Sequence, residues 1–158
     1  MPMTFTRAVP ASGATSVEFL VPFHDVDALR IVWHGHYLKY LDLARTELLR
    51  SVGLDVEDLR AAGHGLLVIE SGCRHISPLR YGDRVRVTAW PRDVTHRIQV
   101  AYDIKNLTRG QRAARAYTTL VTVDSAGRML FRTPRAILER LSTAWDPESP
   151  AASSKDMR

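Results

Sequence analysis

The sequence predicts an α+β domain in which one long amphipathic helix lies across an antiparallel sheet. Apolar residues recur at three- and four-residue steps from about residue 35 to residue 52, which is the periodicity of a helix with one buried face. Between residues 84 and 123, three segments alternate polar with apolar residues and are separated by turn-forming residues, as is typical of half-buried strands. A single long helix followed by closely spaced strands indicates a helix packed on one face of a sheet.

The other segments extend this plan without a repeat or a second domain. In chain order the sequence predicts a strand over 17–23, the long helix, a short helix over 55–60 capped by Asp55, strands over 66–76, 84–90, 97–107 and 113–123, a hairpin turn over 124–127 that leads into 128–131, and a final helix over 135–141 opened by Pro134.

Length and composition predict one globular domain with two loose ends. The chain has 158 residues, of which 45% are hydrophobic, enough for a single core. We expect residues 16–142 to form the domain. Residues 1–15, rich in Pro, Ala, Ser, Thr and Gly, predict a flexible arm, and residues 143–158 predict a disordered tail.

Composition also indicates the cellular compartment and limits the classes of partner. No segment approaches the roughly 18 apolar residues of a membrane span, and no apolar secretory segment follows the first residues. Cys73 is the single cysteine, so we expect neither an internal disulfide nor a cysteine metal cluster, and we predict a cytoplasmic protein without membrane insertion. The net charge of +5 is scattered, and few aromatic residues interleave with it as in a nucleic-acid groove. A phosphorylated small molecule or an acidic carrier protein explains the charge as well as nucleic acid does, and composition does not choose among them. The family resemblance given below implies no nucleic-acid partner.

A chemically dense stretch precedes the long helix. Residues 23–37 contain two carboxylates, Asp25 and Asp27, followed by His34, His36 and a tyrosine at the helix entrance. A helix N-terminus offers free backbone N–H groups and a positive dipole end, which suit an anion or a developing oxyanion. A carboxylate there is either catalytic or an ordinary helix cap, and spacing alone does not decide between them.

The combined motif resembles the hotdog-fold thioesterases of the 4-hydroxybenzoyl-CoA thioesterase family, close to the acyl-CoA thioesterases associated with the Tol–Pal system. The matching positions are Asp25-Val26-Asp27-Ala28, Ile31-Val32-Trp33-His34, Tyr37, Ala44-Arg45-Thr46-Glu47 and the block Pro78-Leu79-Arg80-Tyr81-Gly82-Asp83. The resemblance covers residues 17 to 140. It implies a long central helix wrapped by a curved antiparallel sheet and an enzyme that hydrolyses an acyl or aroyl thioester of coenzyme A or acyl carrier protein.

The resemblance also implies roles for particular residues. Asp27 is expected to be the catalytic carboxylate, as nucleophile or as general base, and the His34 backbone N–H to bind the thioester carbonyl. The His34 ring would shape the pocket or orient Asp27, and Trp33 and Tyr37 would contact the substrate. Asp25 is expected to stabilise the loop.

Further expectations concern the rest of the substrate and the assembly. The family's nucleotide end meets basic residues at a turn between strands, which here corresponds to His96 and Arg97. We expect no metal and no other cofactor, because His34 and His36 do not share a helix face and no further ligand completes a set. Such domains form homodimers or homotetramers with sites at subunit interfaces, and an exposed sheet edge favours pairing.

One departure and two alternatives stay open. The family usually has a glycine two or three residues after the catalytic aspartate, where this chain has Leu29-Arg30, so the loop is expected to follow a different path. His34 and Glu47 also resemble the pair of a hotdog 3-hydroxyacyl-thioester dehydratase. A non-catalytic acyl-CoA-binding protein is the second alternative.

Overall fold

The structure, a computed structural model, describes residues 13–144 and contains one antiparallel sheet with three helices packed against it. The elements are β1 (Thr15–Leu20), a 3-10 turn (Phe23–Asp25), α1 (His36–Ser51), α2 (Val56–Ala61), β2 (His64–His75), β3 (Arg84–Asp93), β4 (Ile98–Asn106), β5 (Gln111–Asp124) and α3 (Arg135–Ser142). The predicted α+β class is confirmed.

The sheet places its strands in the order β1-β3-β4-β5-β2, and every neighbouring pair is antiparallel. The chain therefore leaves β1 at one edge, crosses to β2 at the opposite edge by way of α1 and α2, and fills the centre last. Irregularities in register interrupt β2, β3 and the β4–β5 pairing, and such bulges increase the local twist of a sheet. A twisted sheet can curve around a helix.

The buried face of α1 forms the centre of the core. Its apolar residues repeat at helical spacing and are almost inaccessible, as predicted: Tyr37, Tyr40, Leu41, Ala44 and Leu48. They share one core cluster with the inward residues of the sheet, such as Val85, Val87 and Ile104. The helix ends before Gly53, whose φ of 70° is a backbone conformation that glycine adopts readily.

The two short helices begin where the sequence predicts. Asp55 caps α2 in a capping box, in which its side chain accepts from the first turn and the Asp58 side chain accepts from the Asp55 backbone N–H. Pro134 precedes α3, which buries Ile137 and Leu141 in the common core.

Several predicted boundaries differ from the structure. β3 continues to Asp93 rather than residue 90, and β2 and β5 each begin two residues earlier than predicted. The first strand ends at Leu20 rather than residue 23, because the chain turns at Pro22 into the 3-10 turn. Residues 128–131 do not form a strand; a single bridge joins Val123 to Met129 after the turn.

The flanking segments are described only in part. The predicted arm, residues 1–15, has residues 1–12 outside the described range, and β1 already begins at Thr15. Of the predicted tail, residues 145–158 lie outside that range. Among residues 13–144, no helix is long and apolar enough to cross a membrane.

Candidate active site

The motif stretch folds into a tight reverse turn that leads to α1. The Asp27 N–H donates to the Ile31 carbonyl at 3.0 Å, and the Arg30 N–H donates to the Asp27 carbonyl at 2.9 Å. The Val32 N–H donates to the Leu79 carbonyl at 2.8 Å, which ties the turn to the segment between β2 and β3. Two backbone hydrogen bonds thus hold Asp27 within the turn, and the third holds the turn against the neighbouring segment.

The Asp27 carboxylate is half-buried and only partly satisfied. One oxygen, Oδ1, accepts from the Leu29 backbone N–H at 2.8 Å. Within residues 13–144 it forms no ion pair, so its second oxygen is free for a water molecule or a substrate. This is an aspartate fixed in place by its own turn but not neutralised by a cation.

A cavity of about 310 Å³ lies beside this turn and the start of α1. Its volume is at the lower end of the range of small-molecule sites. The residues that line it are Asp27, Leu29, Ile31, Val32, His34, Tyr37, His75, Ile76, Ser77 and Pro78. The structure therefore brings together three of the predicted site residues, Asp27, His34 and Tyr37.

The entrance of α1 leaves a backbone donor without an intramolecular acceptor. Gly35 is the N-cap residue, and the Tyr37 N–H donates to the His34 carbonyl at 3.3 Å. The His34 N–H has no acceptor among the described residues. A Cβ on Gly35 would lie 2.2 Å from the Trp33 indole, so the close approach of that ring requires glycine.

Asp25 has the opposite environment from Asp27. It is 1% exposed, and its carboxylate accepts from Lys39 Nζ and from the Tyr40 hydroxyl, each at 2.6 Å. Burial alone would raise the pKa of Asp25, but the hydrogen bonds from Lys39 and Tyr40 and the charge of Lys39 outweigh it and hold the pKa below its usual value. Asp25 thus connects the loop to the first turns of α1.

Tyr37 lines the cavity with its ring but is held as a neutral phenol. Burial, followed by the neighbouring Cys73 thiol, raises the pKa of Tyr37 to about 12. Burial likewise raises the pKa of Cys73 to about 11, so this thiol is not a nucleophile at neutral pH.

His75 is a cavity residue that the sequence did not point to. It is the last residue of β2, and its ring meets Tyr37 edge-on with centroids 4.5 Å apart. Desolvation and the nearby His34 lower its pKa, which favours a neutral imidazole at neutral pH. The only sequence signal was a histidine at the end of a strand, ahead of Ser77-Pro78.

Other predicted residues lie elsewhere. Trp33 is 47% exposed and packs on His36, with ring centroids 5.4 Å apart, rather than lining the cavity. His96 and Arg97 are exposed in the turn between β3 and β4. This turn follows the last residue of β3, whereas the Asp27 loop lies beside the first residue of β3, so the length of the strand, about 30 Å, separates them. One chain alone does not join them to Asp27.

Arg30 lies where the family usually has a glycine, and its backbone conformation is unusual for arginine. Arg30 has a φ of 63°, the left-handed conformation that L-residues with a Cβ seldom adopt. The loop therefore keeps a conformation suited to glycine even though the residue is arginine.

No group of three histidine, cysteine or carboxylate side chains with metal-binding geometry occurs within residues 13–144. The chemistry available at the cavity is that of one carboxylate, a helix-entrance N–H, two histidines and a neutral phenol. A carboxylate with a nearby oxyanion donor is suited to acyl transfer.

Comparison with known proteins identifies the superfamily of this chain. Residues 21–141 match the thioesterase-like superfamily, so the chain belongs to that superfamily. A Synechocystis sp. protein named "Putative esterase sll0410" is 32% identical over 120 residues, which are 75% of this chain and 72% of the relative. The 1,4-dihydroxy-2-naphthoyl-CoA hydrolase of Thermosynechococcus vestitus is 35% identical over 101 residues, 62% of this chain and 68% of the relative.

Solved structures share the fold. A hypothetical protein from Thermus thermophilus, TT1821, has a TM-score of 0.75 and 25% identity and covers 83% of this chain and 99% of its own. A DHNA-CoA thioesterase from Staphylococcus aureus has a TM-score of 0.75 and 20% identity over 82% of this chain and 89% of its own. The predicted hotdog fold is confirmed.

Proposed function

We propose that this member of the thioesterase-like superfamily hydrolyses an acyl or aroyl thioester of coenzyme A or acyl carrier protein, with Asp27 as the catalytic carboxylate. The observation that carries the proposal is the shared cavity: an aspartate without a cationic partner and the residue that bears a free helix-entrance N–H line the same space of about 310 Å³. Relatives named as CoA-thioester hydrolases support the same reaction class.

The reaction needs a nucleophile and a donor for the oxygen that gains charge. The thioester carbonyl would accept a hydrogen bond from the His34 N–H, which would stabilise the tetrahedral oxyanion. One such donor typically lowers the activation barrier by about 2.7–4 kcal/mol. Asp27 either attacks the carbonyl carbon and forms a mixed anhydride that water then opens, or takes a proton from water as that water attacks. In both routes the C–S bond breaks, the thiolate is protonated, and the free acid remains.

The neighbouring side chains suit binding and orientation. Tyr37 and the apolar walls contributed by Ile31 and Ile76 would contact the acyl group. The neutral His75 ring, which faces Tyr37, could donate or accept a single hydrogen bond to the substrate or to the attacking water.

Subunit pairing would complete the site. β2 is an edge strand, and three consecutive residues on it are exposed and apolar: Leu67, Val68 and Ile69. An exposed apolar edge favours pairing with a second copy, and antiparallel pairing about a two-fold axis sets the start of one β2 beside the end of the other. Since the β3–β4 turn lies at the starting end of β2, a partner's His96 and Arg97 would approach the first subunit's cavity, where they could bind coenzyme A phosphates.

A single chain gives less support to the dehydratase alternative than to the hydrolase, because His34 and Glu47 lie far apart. Glu47 lies near the end of α1, about 17 Å along the helix axis from His36, and it is hydrogen-bonded to Arg50 at 2.6 Å. Only a second subunit could supply a His34–Glu47 pair.

Thiol release from a panel of thioesters tests the proposal. The panel spans short, medium and long acyl-CoAs, an acyl carrier protein thioester, and benzoyl- and 4-hydroxybenzoyl-CoA, which also test our narrower family prediction. We expect the wild type to release thiol from at least one member, and Asp27→Ala to abolish this while Glu139→Ala, which removes an exposed carboxylate on α3 outside the cavity, does not. Binding of acyl-CoA without thiol release would overturn the hydrolase proposal, and hydration or dehydration that survives Asp27→Ala would favour the dehydratase.

A further inference from the structure

A second cavity lies at the opposite end of α1. Its volume is about 330 Å³, and it is enclosed by the last turns of α1, by α2, and by the start of β2. It shares no lining residue with the Asp27 cavity. Tyr37 lines one cavity and Arg45 is the first α1 residue that lines the other, which separates them by about 12 Å along the helix axis. We call it the α2 cavity.

The walls of the α2 cavity are mainly leucine. Five leucines line it: Leu49, Leu54, Leu59, Leu66 and Leu120. Leu54, Leu59 and Leu120 are nearly inaccessible to solvent, so they form a floor that is already desolvated. A short aliphatic chain bound on this floor would be removed from water without the desolvation of a polar group.

One polar atom at the start of β2, within residues 13–144, lacks a partner. His64 Nδ1 is buried, and it has no hydrogen-bond partner within residues 13–144. Buried polar atoms are nearly always hydrogen-bonded, so an exception beside a cavity points to a missing group. Because an imidazole nitrogen can carry a proton, a carboxylate oxygen could accept from it.

The charged residues around the cavity favour an anion. Arg45 and Arg60 line it, together with one carboxylate, Asp55, and Arg45 is already paired with Asp42. Asp55 is already compensated, since Arg50 Nε donates to it at 2.9 Å and the Val56 N–H at 2.8 Å. Within the described residues Arg60 pairs with one glutamate of its own helix, Glu57, at 3.1 Å, and because this ion pair is exposed and weak the guanidinium can turn towards a ligand.

We propose that the α2 cavity binds a small amphipathic monocarboxylate, with the carboxylate on His64 and Arg60 and an aliphatic chain on the leucine floor. Three observations coincide here: an apolar space of small-molecule size, a buried histidine nitrogen without a partner among the described residues, and an exposed arginine, Arg60, at the rim. The inference does not depend on the proposed hydrolase activity, since neither Asp27 nor the helix entrance takes part.

Calorimetric titration of the full chain with octanoate tests the proposal. We expect saturable binding at one site per chain, at least tenfold tighter than that of octanol or octylamine, which share the chain but not the carboxylate. No octanoate binding, or equal binding of octylamine, would overturn the proposal.

Variants locate the site. We expect His64→Phe to weaken octanoate at least fivefold, and Val56→Trp, at an exposed position on the cavity wall, to block it without a change in the core. Met129→Trp is the matched control, because Met129 is similarly exposed and lines neither cavity. Undiminished binding to Val56→Trp, or binding lost instead in Leu29→Trp at the Asp27 cavity, would overturn the assignment.

Discussion

Asp25 and Asp27 are two positions apart, and the loop gives them opposite environments. Asp25 is enclosed by the Lys39 ammonium and the Tyr40 hydroxyl, whereas Asp27 is held only by the Leu29 N–H. The first arrangement fits a carboxylate that stabilises the fold, and the second fits one that reacts. Sequence spacing alone could not separate them, because the difference arises from the turn that places one side chain under α1.

Removal of the Asp25 charge is expected to cost stability. In Asp25→Asn the Tyr40 hydroxyl and the Lys39 ammonium lose a charged acceptor, so we expect the free energy of unfolding to fall by about 1–3 kcal/mol at pH 7. Urea denaturation measures this. Asp93→Asn, an exposed carboxylate, is the control, and equal effects of the two changes would contradict the structural role.

The Asp25 carboxylate also makes the free energy of unfolding depend on pH in a direction that can be stated in advance. Because the folded-state pKa of Asp25 is lowered from 3.8, its contribution is fully present above that value and is lost as the pH falls through the lower folded-state pKa. We therefore expect the stability gap between wild type and Asp25→Asn to narrow below about pH 4. A gap that widens in acid would contradict the direction of this shift.

Arg30 provides a test of backbone strain. A left-handed conformation costs an L-residue roughly 1–2 kcal/mol, and glycine avoids this cost but loses more chain entropy on folding, so we expect Arg30→Gly to stabilise the protein by about 1 kcal/mol. Arg30→Ala keeps the Cβ and is expected to give no gain. A loss of stability in Arg30→Gly, measured by urea denaturation, would show that the arginine side chain itself stabilises the loop.

At the scale of elements, periodicity and capping signals predicted most of the architecture. The apolar repeat of α1, the alternation in β3 to β5, and Asp55 and Pro134 ahead of the short helices all have local causes, so they can be read from the chain. The bridge that replaces a strand at residues 128–131 and the approach of His75 to Tyr37 depend on tertiary contacts, and no local pattern encodes them. The motif predicted the cavity residues Asp27, His34 and Tyr37, but not His75, Ile76 or Ser77.

The cap of α2 is a local feature that can be tested by itself. Asp55→Ala removes the acceptor for the helix N-terminus and the partner of Arg50, and we expect a loss of about 1 kcal/mol in urea denaturation. Asp55→Asn retains a capping oxygen and is expected to lose much less. Equal losses would indicate that the ion pair, rather than the cap, stabilises this segment.

At the scale of the whole molecule, the free β2 edge links assembly to function. The strand order leaves β2 unpaired on one side, with an apolar segment at its middle. In one chain, the Asp27 cavity and the His96–Arg97 turn lie at opposite ends of the sheet. Antiparallel pairing of two β2 edges would bring these two parts together, so we expect activity to require the dimer.

A charge at the middle of β2 tests this link. Ile69→Lys sets like charges near the two-fold axis of the proposed pairing, and we expect it to yield monomers and to raise KM for acyl-CoA at least tenfold. Light scattering gives the mass, and Met129→Lys, at an exposed position outside β2, is the control. A fully active monomer would contradict the proposed role of the second subunit.

The central claim is that Asp27, and not Asp25, carries the chemistry. The most direct measurement is kcat for thiol release, per folded molecule, in wild type, Asp27→Asn and Asp25→Asn, with the best thioester of the panel and the folded fraction measured in the same samples. We expect a fall of at least a hundredfold in kcat for Asp27→Asn with its stability nearly unchanged, and for Asp25→Asn a loss mainly of stability. A larger fall in kcat for Asp25→Asn than for Asp27→Asn would contradict it.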